Sequence, residues 1–322
     1  MNRREFLRTG ALAAAAVFVP LDLRIAAAPN QTYTMVTFVS EIDYWKDCFR
    51  GMQDAADFLD VTANYVGSRD NEQASELQIL DQTIRTRPDG ILLTAINPDG
   101  LKSSIDTAIQ AGIGIVTFDA DSPLSKRYSF VGTGNMDAGV VAARYLGPIV
   151  QAGKIAISSV PAQLNHIQRR QGFIDTLKTE FKNIIVTDQL IVDNANDAST
   201  AASTMITLLT ANPDIKGIFA TDASGAIGVA QALQTLGITT TPIVGFDYDE
   251  RTLDLVDNGS VLATLAQGTW QMGFWGLIEL FMVRNQMIKS VSDWQTAGIA
   301  PLPPTVDTGV AVITKSNSHY WR

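Results

Sequence analysis

The feature that most constrains the fold is a repeat that begins at Thr32: a short apolar run, a turn, and an amphipathic segment of helical length. The apolar runs are Thr34–Val39, Val61–Tyr65, Gly90–Thr94, Gly114–Phe118, Lys154–Ser158, Ile184–Ile191, Gly217–Ala220 and Ile243–Phe246. The segments with helical spacing are Tyr44–Leu59, Glu72–Thr86, Leu101–Ala111, Asp137–Val150, Ile167–Phe181, Thr200–Ala211, Ala226–Gly237 and Glu250–Asn258. Nearly continuous runs of Val, Ile and Phe are typical of parallel strands covered by helices on both faces. At roughly 100 to 200 residues per domain, the 322 residues predict an α/β protein with two doubly wound parallel-sheet domains.

Charge and cysteine content exclude several classes of protein. The formal net charge is −9, and a surface of that sign repels nucleic acid and anionic lipid. The single cysteine, Cys48, cannot form an internal disulfide, and its place beside Phe49 on a helical face favours a small buried hydrophobe over a reactive thiol. We therefore expect no nucleic-acid partner, and a fold stabilised by packing.

Residues 1–28 are predicted to be an export signal of the twin-arginine kind. The pair Arg3 and Arg4 precedes an apolar run, Ala11 to Val19, which small residues follow. This run is too short to cross a bilayer core of about 30 Å as a helix. Cleavage is expected near Ala27 or Ala28, giving a periplasmic protein. The alternative is an amphipathic N-terminal helix that stays on the protein.

Polar and aromatic residues are concentrated in the loops after the apolar runs. Ligands of open parallel sheets bind beyond the carboxyl ends of the strands, so these loops hold the candidate site. Their Asp, Asn, Gln, Arg, Tyr and Trp side chains suit sugars, because they hydrogen-bond hydroxyl groups and stack on the apolar faces of the ring. The loops are Ser40–Trp45, Asn97–Asp99, Asp119–Asp121, Gln163–Arg170, Asp193–Asp197, Thr221–Ser224, Asp247–Asp249 and Gln267–Trp270.

Motifs in these loops carry a family resemblance. In the first half they are Tyr44-Trp45 with Gly51, Thr-Phe-Asp-Ala-Asp-Ser-Pro at 117–123 and Val-Gly-Thr-Gly-Asn at 131–135. In the second half they are Asn165 with Arg169-Arg170-Gln171-Gly172-Phe173, Ala-Thr-Asp at 220–222, Val-Gly-Phe-Asp at 244–247 and Leu-Ala-Gln-Gly-Thr-Trp-Gln-Met-Gly at 265–273. In order and spacing, nearly all of the chain after the signal resembles the ribose-type periplasmic sugar-binding proteins, the type I solute receptors of ABC importers.

The resemblance implies a monomeric receptor that binds a sugar or sugar-like polyol in an interdomain cleft, closes by a hinge and delivers its ligand to a membrane permease. It implies no enzyme activity, cofactor or metal. Carried over by position, the ligand-binding residues are Tyr44, Trp45, Asp119, Asp121, Asn165, Arg169, Thr221, Asp222, Asp247 and Gln267. The aromatic residues are expected to stack on the sugar, Asp119 and Asp247 to accept from hydroxyl groups, and Arg169 to donate.

The resemblance also implies three crossings of the chain between the domains. These are expected near residues 132–135, 267–269 and 301–304. The first lobe is then 30–133 plus 268–298, and the second is 134–267 plus 299–322. Proline fixes φ, which suits the Pro-rich third segment to a hinge strand.

In two pairs of adjacent residues, only one member of each pair is expected to face the ligand. Adjacent helical positions point about 100° apart, so one of Tyr44 and Trp45 is expected to pack in the core, and Trp45 is favoured for the cleft. Of Arg169 and Arg170, the spacing to Gly172 selects Arg169 for the site.

The two aspartates at strand ends have a competing role as helix caps. Asp119 is followed by Ala-Asp-Ser-Pro, which does not begin a helix, so a ligand role is favoured. Asp247 has stronger competition, because one of Asp247, Asp249 and Glu250 is expected to cap the helix that follows.

Some positions depart from the family pattern. Ala120 stands where ribose-type members commonly carry an arginine, Asp121 adds an acid, and Asn196 stands where many relatives have an aromatic residue. The cleft is therefore expected to be more acidic and less double-stacked than a pentose site. A hexose, polyol, cyclitol or amino sugar is favoured over ribose, and a cationic solute stays open.

Motifs for competing chemistry are absent from the sequence. It has no Gly-x-Ser-x-Gly elbow, Lys-bearing phosphate loop or paired-cysteine motif, and His166 and His319 lie far apart. Two alternatives are kept: an enzyme on the same fold, and a ligand-sensing regulator core. The regulator is disfavoured because the signal occupies the place of its DNA-binding helix-turn-helix.

Overall fold

The computed structural model describes residues 30–40, 42–70, 72–288 and 294–322. The predicted export signal at 1–28 lies outside these residues. Two separate sheets, each flanked by helices, form two lobes. The predicted fold class, two doubly wound α/β domains, is confirmed.

Among the described residues, the first sheet has six strands in the order β12-β5-β4-β3-β1-β2, and every pair is parallel. Its strands are β1 (Thr32–Thr37), β2 (Thr62–Gly67), β3 (Gly90–Leu93), β4 (Gly114–Phe118), β5 (Ser129–Gly132) and β12 (Thr305–Asp307). The helices of this lobe are α1 (Asp43–Leu59), α2 (Gln73–Thr86), α3 (Lys102–Gln110) and α9 (Thr269–Arg284), followed by the short α10 (Trp294–Ala297). Helix α9 packs on α1, β3 and β4, and closes the core beneath the sheet.

The second sheet follows the order β13-β11-β10-β9-β6-β7, with β8 also paired to β6. Its strands are β6 (Gly153–Ser159), β7 (Ile184–Ile185), β8 (Ile191–Asp193), β9 (Ile215–Ala220), β10 (Ile243–Phe246), β11 (Ala263–Gln267) and β13 (Val310–Thr314). Its helices are α4 (Asn135–Val150), α5 (Leu164–Glu180), α6 (Ala198–Ala211), α7 (Ala223–Thr235) and α8 (Glu250–Asn258). All pairs are parallel except β11 with β13, which is antiparallel.

Two of the predicted strands differ in the structure. The run Ile184–Ile191 does not form one strand, because a 3₁₀ turn at Asp188–Leu190 separates β7 from β8. Strand β2 is not buried on both faces: it lies at the edge of the first sheet, and its residues alternate between exposed and half-buried.

The chain passes three times between the sheets. It crosses from β5 to α4 at residues 133–134, from β11 to α9 at Gly268, and from β12 to β13 at residues 308–309. The third crossing lies further along the chain than the expected 301–304, because the residues after that proline-rich segment pair with β5 and so complete the first sheet. The second lobe's tail therefore begins at Val310 rather than at residue 299.

A single carboxylate joins two of these crossings. Asp307 Oδ1 accepts the backbone N–H of Gly134 at 2.7 Å and that of Gly309 at 2.8 Å. The second crossing is tied to the first through Thr133, whose hydroxyl donates to Gln267 Oε1 at 2.7 Å. The three crossings are thus hydrogen-bonded to one another.

Both lobes contain helices in backbone contact. Gly139 and Gly172 lie where α4 meets α5, and Gly51 and Gly273 lie where α1 meets α9. A Cβ at any of these positions would overlap a backbone carbonyl of the facing helix. These glycines therefore set the spacing of the helices that carry the cleft residues of both lobes.

We predict that Gly172→Ala destabilises the protein. Overpacking costs about 1 to 3 kcal/mol, while the better helix propensity of alanine returns about 1 kcal/mol at most. Urea unfolding should therefore show a lower midpoint. Gln171→Ala is the matched control, because Gln171 is exposed on the same helix and hydrogen-bonds only Asp175 among the described residues. A Gly172→Ala protein as stable as the wild type would contradict the packing argument.

Candidate functional site

A cavity of about 330 Å³ lies between the lobes, at the carboxyl ends of the strands of both sheets. Most of the sequence-predicted site residues line it together. They are Tyr44, Trp45 and Asp119 from the first lobe, and Asn165, Arg169, Asp222, Asp247 and Gln267 from the second.

The two neighbouring aromatic residues both line the cavity, but in different ways. Trp45 is only 2% exposed, and its indole N–H donates to the carbonyls of Phe38 at 3.0 Å and Val39 at 3.1 Å. Its ring makes edge-on contacts with Phe38 and Phe118, so Trp45 also belongs to the core of the first lobe. Tyr44 presents the polar group: its hydroxyl donates to Asp119 Oδ1 at 2.7 Å. The sequence favoured Trp45 alone for the cleft, but in the structure both residues line the cavity, and Trp45 is also part of the core.

Asp119 and Asp247 occupy equivalent positions in the two lobes. Each directly follows a central strand, and each has a left-handed backbone, with φ of 59° and 61°. In each case the backbone N–H donates to a carbonyl of the neighbouring strand, that of Val131 or of Leu265. Asp tolerates this sparsely populated conformation, which turns both carboxylates into the cavity.

Neither of these aspartates caps a helix. Asp249 caps α8, with its side chain accepting the backbone N–H of Thr252 at 2.7 Å. This leaves Asp247 in the cleft. After Asp119 the chain continues in turns, and no helix begins there.

Arg169 is the central cation of the cavity and is 2% exposed. Its Nε donates to Asn135 Oδ1 at 2.8 Å, Nη1 to the carbonyl of Thr221 at 2.9 Å, and Nη2 to Gln267 Oε1 at 3.1 Å. The guanidinium carbon lies 3.7 Å from the centre of the Phe246 ring, a cation–π contact. Arg170, by contrast, reaches Ser159 and the carbonyl of Pro161, and does not line the cavity.

Gln267 connects the cavity to the hinge. Its Oε1 accepts from Arg169 and from Thr133 at the first crossing, and its Nε2 donates to Asp247 Oδ1 at 2.7 Å. Since Gln267 ends β11, one amide joins a cleft carboxylate, the buried guanidinium and two crossings.

His166 also lines the cavity, although it was not among the residues expected to bind a ligand. Its Nδ1 lies 2.8 Å from Thr221 Oγ1 and 3.9 Å from Asp222 Oδ2. Burial, reinforced by the charges of Arg169 and Arg170, holds the pKa of His166 well below its usual range. His166 is therefore a neutral hydrogen-bonding group at neutral pH.

Two predicted site residues lie off this cavity. Thr221 is fully buried beneath it, where its hydroxyl contacts His166 and Ser159 and its carbonyl accepts from Arg169. Asp121 lies beyond Asp119 and is held by Arg127, whose Nε and Nη2 donate to its two carboxylate oxygens at 2.5 and 2.6 Å. That ion pair turns Asp121 out of the first cavity.

Enclosure raises the pKa of the cavity carboxyls. Burial raises the pKa of Asp247 to about 6, against the opposing effect of Arg169 and Gln267. Burial likewise raises the pKa of Asp222 to about 6, opposed by hydrogen bonds from Asn194 and from the backbone N–H of Gly225. The pKa of Asp119 is also raised by burial, against the lowering effects of Tyr44 and Arg169.

The described residues contain no group of three or more His, Cys, Asp or Glu side chains placed to hold a metal ion. Within the same part of the chain, no helix combines the length and apolar character needed to span a bilayer.

Comparison with known proteins gives a consistent result. A family model described as "Periplasmic binding protein domain" matches residues 33–282. The ribose import binding protein of Escherichia coli is 26% identical over 266 residues, which cover 80% of this chain and 87% of that protein.

Two solved structures are more similar in sequence. A sugar-binding protein of a sugar ABC transporter from Bacillus halodurans is 40% identical with a TM-score of 0.86, and an arabinose-binding protein from Geobacillus stearothermophilus is 38% identical with a TM-score of 0.82. Each match covers 91% of this chain and 100% of the other. The chain therefore belongs to the periplasmic binding protein domain family.

Proposed function

We propose that this protein is an extracytoplasmic receptor that binds a neutral monosaccharide between its lobes and delivers it to the permease of an ABC importer. The observation that carries the proposal is the convergence of Asp119 and Asp247, one from each lobe, with Arg169 on a single cavity. Carboxylates accept from sugar hydroxyls, and a guanidinium donates to hydroxyl and ring oxygens. One sugar contacts both lobes in this arrangement.

The buried guanidinium has donors to spare for such a ligand. Arg169 carries five N–H groups, of which three are used by Asn135, Thr221 and Gln267. Its remaining N–H groups have no partner among the described residues. These three hydrogen bonds already hold the Arg169 guanidinium in one orientation, so little side-chain entropy is lost when it donates to a sugar.

The sequence pattern favoured a hexose, polyol, cyclitol or amino sugar, but the ligand class we propose is an aldopentose, with arabinose as the first candidate. The arabinose-binding protein from Geobacillus stearothermophilus, at 38% identity over its whole length, supports this choice.

Binding is coupled to closure of the hinge. A ligand that contacts Asp119 on one lobe and Asp247 on the other binds the closed form more tightly than the open form, which shifts the population toward closure. The permease is then presented with the closed receptor. We further propose export through the twin-arginine pathway, with cleavage near Ala27 or Ala28, and action as a monomer in the periplasm.

We predict that Asp247→Asn weakens sugar binding without unfolding the protein. A hydrogen bond to a charged group contributes about 1.5 to 3 kcal/mol, so the Kd for arabinose should rise about tenfold or more. Isothermal titration calorimetry against arabinose, ribose, xylose, galactose and myo-inositol measures this. Glu250→Gln, an exposed acid near the same strand end, is the control and should bind like the wild type. Absence of binding by every sugar would sink the receptor proposal.

Sugar affinity is predicted to fall as the pH drops through about 6. Asp247 and Asp222 have pKa values of about 6 in the free protein, and a sugar hydroxyl donates best to the ionised carboxylate. Binding therefore favours proton release, and protons compete with the sugar at low pH.

Calorimetry from about pH 5 to about pH 8 tests this linkage, with a plateau expected well above the carboxyl pKa values. The Asp247→Asn protein should show a shallower dependence, because one of the two titrating groups is gone. A wild-type affinity that stays constant over the whole range would contradict the assignment of these carboxylates to the ligand.

A further inference from the structure

A second cavity of about 340 Å³ adjoins the first and is not used by the proposed monosaccharide. It lies between the start of α4, the start of α5 and the loop after β4. Asp119 and Asn165 line both cavities and stand at their junction. Asp121 is predicted from the sequence to bind the ligand, but it does not line the first cavity. It lines the second cavity instead.

The junction residues have free hydrogen-bonding groups. Asp119 Oδ1 accepts from Tyr44, and Asn165 Oδ1 accepts the backbone N–H of His166 at 3.0 Å. Asp119 Oδ2 and the Asn165 amide nitrogen have no hydrogen-bond partner among the described residues. An acceptor and a donor thus face the passage between the cavities, where they suit a hydroxyl and a bridging ether oxygen.

The wall of the second cavity is fixed in place. Arg127 donates to both oxygens of Asp121 and, through Nη1, to the carbonyl of Pro304 at 3.0 Å, while the Thr117 hydroxyl donates to Asp121 at 2.6 Å. The Arg127 side chain is only 9% exposed. A charged pair held this rigidly offers preorganised hydrogen bonds to a ligand.

The rest of the lining of the second cavity combines an amide with apolar surface. Gln168 supplies a donor and an acceptor, and Met136, which is 42% exposed, and Pro123 supply apolar contact. A sugar ring needs both, since its hydroxyls lie at the rim and its C–H groups on the faces. The two cavities are nearly equal in volume, so each has room for one ring.

We propose that the second cavity is a subsite for a second sugar ring, so that the receptor takes a neutral disaccharide as well as a monosaccharide. The inference rests on the proposed function, because the first ring occupies the cavity of Asp247 and Arg169. The glycosidic oxygen lies at the junction, beside Asp119 and Asn165, and the second ring lies between the Arg127–Asp121 pair and Met136.

Calorimetry of the purified full-length chain with arabinose, xylose, α-1,5-arabinobiose and β-1,4-xylobiose tests the proposal. At least one disaccharide should bind as tightly as the better monosaccharide. Met136→Trp fills the second cavity and should weaken disaccharide binding about tenfold or more, while monosaccharide affinity stays within about twofold. Met136→Leu is the matched control and should retain both ligands.

Gln168→Ala gives a second readout that leaves the cavity open. It should weaken the disaccharide alone, because Gln168 lines only the second cavity. If arabinose binds and both disaccharides bind about a hundredfold more weakly or not at all, the subsite is wrong and the receptor function stands. If Met136→Trp and Gln168→Ala weaken monosaccharide and disaccharide equally, the second subsite is also wrong. If no sugar binds, the proposed function fails together with the subsite.

Discussion

The structure of the cleft depends on the burial of one guanidinium. A buried cation is stable only when its charge is balanced and its N–H groups are paired. Arg169 donates to Asn135 at the first crossing, to Gln267 at the second and to the backbone carbonyl after β9, and carboxylates surround it. These requirements fix where α5 lies relative to two of the three crossings. The same requirements make the cavity polar, rigid and suited to hydroxyl groups.

The two lobes have the same local backbone structure at the ends of their central strands. Asp119 and Asp247 share a left-handed backbone and a main-chain hydrogen bond to the next strand. The helices show a similar correspondence, because glycines bring α1 into contact with α9 in the first lobe and α4 into contact with α5 in the second. Because the lobes face each other with matching edges, a ligand meets an equivalent carboxylate on either side.

Much of the architecture could be predicted, since runs of β-branched residues with amphipathic segments between them specify parallel strands and covering helices. Helix α9 was missing from the predicted segments because its less buried positions are apolar as well, with Trp270, Phe274 and Trp275 among them, which leaves no amphipathic stripe to detect. The position of Asp121 could not be predicted either, because its partner Arg127 approaches through a turn. His166 gave no local signal, since its partner Thr221 is 55 residues away. Local sequence patterns predict strands and helix caps. Contacts between side chains that are distant in the sequence depend on how the elements pack, and local patterns do not predict them.

The carboxylate of Asp307 has a consequence for how the lobes move. One oxygen holds the backbone of two crossings, and the Thr133–Gln267 bond adds the third. Hydrogen bonds between the crossings restrict independent twisting of each one, so we expect the lobes to rotate about a common axis. Lobes whose relative motion is already restricted lose little orientational entropy when the receptor closes. A larger share of the favourable contact energy with the ligand therefore remains as binding affinity.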